Sequence, residues 1–175
     1  MRNTCSDKAL TVAAEAWAGE GDPPGSQPVL IALDASNAFT SVHRCAVLAG
    51  CQDLPAPLGT TIQCWLAQNV QHRYWDDEDR EWGVGGGRGV DQGCALSPAL
   101  FAAAMRKPLQ LVADQARVWG RRCLVRAYLD DVVLLVPASR AAEAVKLVAE
   151  RLRPLGIEVN IRKTQLWAPT EGARA

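Results

Sequence analysis

Apolar residues in this chain gather in short runs separated by Gly, Pro and Asp, with longer helical stretches between them. Val29-Leu30-Ile31-Ala32-Leu33, closed by Asp34, reads as a buried strand over 29–34. Ser41 to Ala49 reads as a helix ended by Gly50, and a second helix is predicted from about Leu58 to Gln68. Val70 to Trp75 alternates weakly as a strand. Asp76 to Glu81 is a charged turn, and Trp82 to Val84 returns as the partner strand before the joint Gly85-Gly86-Gly87. Ser97-Pro98 opens a helix of about 20 residues, with Ser as N-cap and Pro in the first turn. Two apolar, β-branched runs, Cys123 to Tyr128 and Val132 to Val136, flank Asp130-Asp131, which predicts a tight hairpin with acids at its tip. Ser139 is read as the cap of a helix from Arg140 to about Arg153, ended by Pro154 and Gly156. Ile157–Ile161 and Gln165–Trp167 are the last extended pieces. Upstream, residues 19 to 28 form a breaker-rich loop preceded by a short helix.

This order is strand, helices, strand, strand, helix, strand. It predicts an α+β domain of the split β-α-β-β-α-β kind, an antiparallel sheet with helices on one face. The first strand and the middle hairpin then lie side by side, and Asp34 and Asp130 meet at one sheet edge. Carboxylates at strand ends can converge on divalent metal ions, and metal held this way drives phosphoryl transfer.

Bulk properties narrow the picture. The chain has 175 residues, 49% hydrophobic and 22% charged, which fits one globular domain. No apolar run approaches the ~20 residues of a membrane span, and Leu10 to Ala18, broken by Glu15, has no signal-peptide core. Six cysteines without a C-x-x-C pair, and only two histidines, weigh against zinc and point to free intracellular thiols. Net charge is zero but uneven: 13 Lys+Arg against 7 Asp+Glu from residue 100 onward, and 6 against 12 before it. Arg117, Arg121, Arg122 and Arg126 precede the acidic hairpin, and read equally as a positive strip that would steer phosphates or as scattered solvated arginines.

Gln92-Gly93-Cys94-Ala95-Leu96-Ser97-Pro98 adds a third signal, a Q-G-x-x-x-S-P pattern followed by Leu100-Phe101. Together with Leu33-Asp34-Ala35-Ser36-Asn37-Ala38-Phe39, Tyr128-Leu129-Asp130-Asp131, and Leu155 to Asn160 followed by Lys163-Thr164, it resembles the palm of a reverse transcriptase, most like those of non-LTR (LINE-type) retrotransposons. The four segments occur in that family's order across about residues 29 to 168. The resemblance implies a polymerase palm with the ferredoxin-like sheet. Asp34 and Asp130 would hold two Mg²⁺ ions, with Mn²⁺ as a substitute and Asp131 in support. Ala35 would add a backbone ligand. Phe39 would be a steric gate against ribose, Gln92 and Gly93 would line the nucleotide pocket, and Lys163 would meet the triphosphate or protonate pyrophosphate. The implied partners are an RNA template, a DNA primer and deoxynucleoside triphosphates, with no membrane.

On this reading, residues 1–28 are an extension or linker, 29–168 a partial palm and 169–175 a tail. Fingers and thumb are expected to lie in a longer polyprotein, and little processive synthesis is expected from this chain alone. Asp91 and Ala95 depart from the family's usual residues without touching the acids. A second reading is a catalytically inactive retroelement remnant kept as a binding or interaction module. A third, a phosphohydrolase with Asp34 as nucleophile, wants a second acid two residues on, where Ser36 stands.

Overall fold

A computed structural model describes residues 27–68 and 70–168. The short helix and loop expected upstream, apart from Gln27 and Pro28, fall outside the described residues, as does the tail 169–175. The central sheet has four strands in the order β5 (Leu124–Tyr128), β6 (Asp131–Pro137), β1 (Pro28–Leu33), β8 (Gln165–Trp167), all antiparallel. β1 and β6 are the inner pair, in register from Pro28↔Pro137 to Leu33↔Val132. Beyond Asp34 the chain leaves this sheet as β2 (Ala35–Ser36), which pairs with β7 (Glu158–Val159). A separate hairpin joins β3 (Val70–Trp75) to β4 (Glu81–Gly86).

Side chains alternate across a strand, so one face of β1 and β6 belongs to the helices. Val29, Ile31 and Leu33, with Val132, Leu134 and Val136, are buried in the main core. Facing them are two helices. α4 (Ser97–Trp119) buries Leu100, Phe101, Ala104, Met105, Val112 and Ala116, and α5 (Ala141–Leu152) buries Ala144, Val148 and Leu152 at a four-residue spacing. Each Val, Leu, Ile, Phe or Met side chain among these contributes roughly 1.5–3 kcal/mol on full burial. The opposite face carries only a small cluster, Leu30 and Leu135 with Cys123, Leu124 and Val133.

Several local expectations are corrected. The helix expected from Ser41 is split. α1 (Ala38–Ser41) stops where Val42 turns extended, and α2 (Arg44–Gly50) restarts after an extended His43, whose N–H donates to the Leu155 carbonyl at 2.7 Å. α3 spans Ala56–Leu66, two residues earlier than read from the sequence. Ser97 is the first residue inside α4 and is buried, with Leu96 at the N-cap. Ser139 lies within a 3-10 turn (Ala138–Arg140) that precedes α5, with Arg140 at its N-cap. Gly85 and Gly86 are strand residues of β4, not part of a joint. The Asp76 carboxylate builds the tip of the β3–β4 hairpin, accepting from the N–H groups of Glu78 (3.1 Å) and Arg80 (2.9 Å) and from Trp82 Nε1 (2.8 Å).

Gly50 marks the tightest helix crossing. A Cβ there would lie 2.3 Å from the Ala103 carbonyl oxygen of α4, backbone that has little room to yield. Gly59, in the middle of α3, has nothing within 4 Å of the same position. Gly50→Ala is therefore expected to lower stability by about 1–3 kcal/mol, whereas Gly59→Ala raises it by about 0.5–1 kcal/mol. Urea unfolding midpoints read both, and a neutral Gly50→Ala would contradict the packing described.

Candidate active site

The open face of the sheet reads as cross-strand rows. Register sets Leu124, Leu135, Leu30 and Trp167 in one row, and Arg126, Val133, Ala32 and Gln165 in the next. Tyr128 pairs with Asp131 in the third. Extending β1 by one residue beyond Leu33↔Val132 sets Asp34 beside Asp131, and continuing two residues back from the start of β8 brings in Lys163. The Lys163 ammonium does reach Asp34, with Nζ 3.4 Å from Oδ2. The face thus grades from apolar to charged. Its charged end is closed by a two-residue turn, Leu129-Asp130, linking Tyr128 to Asp131. Leu129 is held at φ 57°, a left-handed backbone that costs a branched residue of order 1 kcal/mol or more.

Asp34 sits where the chain passes from the large sheet to the β2–β7 pair, and its carbonyl accepts from the Asn160 N–H at 2.8 Å. Ala35 is buried and paired with Val159. Asn37 takes the left-handed conformation (φ 47°) that Asn tolerates, and its carbonyl accepts from Thr40 and Ser41 to start α1. Phe39, half-buried on that turn, stacks on the fully buried Phe101 with ring centroids 4.6 Å apart. Phe39 and Val42 carbonyls accept from the N–H groups of Val90 and Gly89, both at 2.8 Å. Gly89, at φ 77°, has no room for a side chain there, since a Cβ would lie 2.6 Å from Thr40 backbone. This staple roots the loop that carries Gln92 and Gly93. Both are exposed, and Gly93 (φ 91°) has open space where a Cβ would point.

One organising residue escapes a sequence reading. Arg44 opens α2 and donates to the carbonyls of Leu66 (3.2 Å), Gln68 (2.8 Å), Gly86 (2.8 Å) and Gly89 (3.4 Å). It ties the hairpin and the Gly89 loop to one helix. The available signal was weak: a cation in the first turn of a helix, where the macrodipole disfavours it. Of the expected basic strip, Arg126 stands on the open face, and Arg117 pairs with Asp114 at 2.7 Å.

Charge is concentrated at the hairpin. Burial pushes the Asp131 carboxyl above its ordinary value, and the neighbouring charges of Asp130 and Asp34 push it further in the same direction. The three acids therefore share one electrostatic site. Asp34 Oδ2 is buried and accepts no hydrogen bond, with the Lys163 ammonium at 3.4 Å as its charge partner, so it is an oxygen suited to a cation. Among the described residues, however, no three His, Cys, Asp or Glu side chains are grouped as a ready metal cage. Among those residues, too, no helix is long and apolar enough to cross a membrane.

Comparison with known proteins places this geometry. The family model described as reverse transcriptase (RNA-dependent DNA polymerase) matches residues 6–173. The chain is 28% identical over 143 residues to the retrotransposable element SLACS 132 kDa protein of Trypanosoma brucei gambiense, covering 78% of this chain and 11% of that protein. In fold it is similar to telomerase from Candida albicans in complex with a TWJ fragment of telomeric RNA (TM-score 0.66, 14% identity, 97% of this chain and 32% of that one). Apo telomerase from Candida tropicalis is similar too (TM-score 0.69, 13% identity, 97% and 33%). The chain thus spans about a tenth of its curated relative and a third of each telomerase chain.

The raised Asp131 pKa has a definite sign. Its folded carboxyl holds a proton more tightly than the unfolded one, so its contribution is fully present below the unfolded pKa and is lost as pH rises through the raised folded value. Asp131→Asn is expected to gain up to about 1 kcal/mol over the parent at pH 7, modest because the side chain is largely exposed. The gain should vanish near pH 3. Urea unfolding across pH 3–7 checks this, and a gain that persists at low pH would contradict the repulsion.

Proposed function

We propose that this chain, which belongs to the reverse transcriptase (RNA-dependent DNA polymerase) family, forms the palm of an RNA-directed DNA polymerase and carries out template-directed nucleotidyl transfer. The match to a retrotransposable element protein supports the narrower assignment to non-LTR retrotransposons. The carrying observation is the charged row, Asp131, Asp34 and Lys163, with Asp130 in the adjoining turn. The strand order and the helices on one face are in keeping with the split β-α-β-β-α-β palm. Residues 29–168 would be that palm, flanked by 1–28 and 169–175, with clamping fingers and thumb belonging to a longer polyprotein.

Asp34, Asp130 and Asp131 would hold two Mg²⁺ ions, or Mn²⁺ in their place. Hard carboxylate oxygens suit these ions, and the buried Oδ2 of Asp34 supports the fit. Bound there, such ions supply an acidified primer 3′-hydroxyl and charge compensation for the leaving pyrophosphate. The chain's own residues would place the reactants. Ala35 keeps the backbone beside Asp34 close and rigid. Gln92 and the open backbone at Gly93 would accept the base or sugar of a deoxynucleoside triphosphate. Phe39, braced by Phe101, would set its flat ring against a ribose 2′-hydroxyl. Lys163 would meet the triphosphate or give a proton to pyrophosphate. An RNA template with an annealed DNA primer would lie along the open sheet face, past Arg126.

Primer extension with a labelled DNA primer on RNA, in Mg²⁺ and then Mn²⁺, tests the reading. Short, distributive additions are expected from this chain alone. Asp130→Asn should slow them about 100-fold or more, the scale for removing one group that stabilises transition-state charge. An Asp130→Asn chain that extends at the parent rate would sink the catalytic assignment of these acids, and a parent that adds no nucleotide in either metal would favour an inert binding module.

Steric selection has its own readout. Phe39→Val should raise ribonucleotide incorporation relative to deoxynucleotide by about tenfold, as expected when a pocket wall is cut back. Unchanged discrimination would return Phe39 to a purely packing role on Phe101.

A further inference from the structure

The acid row ends on a cation, and the cation is leashed. Lys163 Nζ lies 3.4 Å from Asp34 Oδ2, the oxygen that is buried and accepts no hydrogen bond. This ion pair joins Lys163 to Asp34, one of the three acids. The backbone under Lys163 is tied to the same aspartate. Asn160 donates its N–H to the Asp34 carbonyl at 2.8 Å, and the Asn160 carbonyl accepts from the N–H groups of Lys163 and Thr164, both at 3.1 Å. Asn160 Oδ1 accepts a second, longer bond from the Lys163 N–H at 3.3 Å. One five-residue turn, 160–164, therefore grips the main chain of Asp34 and presents an ammonium to its side chain.

We propose that Lys163 is a built-in counter-ion of Asp34 that a divalent cation must displace, so that this lysine sets how tightly the acid site takes metal. The inference rests on the metal-binding reading above and deepens it. An ammonium 3.4 Å from Oδ2 covers the lone pairs that a hard cation would use. An ammonium and a divalent ion cannot share that oxygen without strong repulsion, since like charges a few ångströms apart repel. The lysine is well placed to leave. Its side chain is 67% exposed, against 33% for Asp34, so the ammonium can swing into water while its backbone stays bolted. Until it leaves, it offsets part of the repulsion among Asp34, Asp130 and Asp131 that pushes up the Asp131 carboxyl. Displaced, the same ammonium is free to meet a triphosphate. Metal entry and lysine release become one exchange.

Mn²⁺ binding to the full chain, followed by electron paramagnetic resonance without nucleotide or primer, tests this apart from catalysis. Lys163→Gln removes the competing charge and is expected to bind Mn²⁺ roughly three- to fivefold more tightly than the parent, the range set by an exposed ion pair. Lys163→Arg keeps the charge and should bind as the parent does. Asp34→Asn, with folding checked by circular dichroism, should lose most Mn²⁺ affinity. If Asp34→Asn loses affinity but Lys163→Gln matches or falls below the parent, the counter-ion inference fails and the metal site stands. Equal tightening by Gln and Arg would also overturn it, since shape and not charge would then be at work. If Asp34→Asn and Asp130→Asn both bind like the parent, the metal site itself fails and takes the inference with it.

Discussion

The antiparallel pairing of β1 with β6 governs everything else in this molecule. Its register, Leu33↔Val132 at one end and Pro28↔Pro137 at the other, decides which side chains enter the core and which acid meets which. Because side chains alternate with a period of two, a slip of β1 by one residue would turn Ile31 to the open face and Asp34 toward the hydrocarbon core. Ile31 is completely buried, so the slip would expose a large aliphatic side chain and bury a charge at once. The apolar helix face therefore fixes the chemistry of the opposite face. Function at the charged end is specified by hydrophobic packing several residues away.

A second layer of control comes from main-chain bonds that cross between distant segments. The Gly89-Val90 backbone is stapled to Phe39 and Val42, and Arg44 collects four carbonyls from three segments. These bonds fix the loop of Gln92 and Gly93 relative to the Phe39 turn. Phe39 shows the economy of the arrangement. One ring face is consumed in the stack on Phe101, which holds the ring rigid, and the residue still remains only half-buried.

Much of this was legible in the amino-acid sequence because it rests on strong local patterns. The β-branched runs around Asp130-Asp131 leave few alternatives to a hairpin, and the apolar spacing of α5 leaves few to a helix. What was not legible depends on tertiary competition. Serines at 97 and 139 look like N-caps, yet packing draws Ser97 into the core and a 3-10 turn takes over at Ser139. Val42 and His43 read as helix interior, but a backbone bond to Leu155 holds them extended. The sequence brings Asp34 and Asp130 to one sheet edge without giving the register, which, continued one residue past Leu33↔Val132, adds Asp131 beside Asp34 with Asp130 in the adjoining turn. Choosing between two adjacent acids requires knowing that the turn has two residues, and a turn without Gly or Asn at its left-handed position gives no such signal.

That turn also explains why the charged end is costly to build. Leu129 carries a left-handed backbone that Gly or Asn would take with less strain, and burial together with the charges of Asp130 and Asp34 acts on Asp131. Strain and repulsion at one point of a fold are tolerated only where the surroundings over-determine it. Here the surroundings are the best-packed pair of strands in the molecule and a lysine delivered by a neighbouring turn. The inner strands carry a strained tip, and the negative charge beside it is met by the ammonium of Lys163 at Asp34.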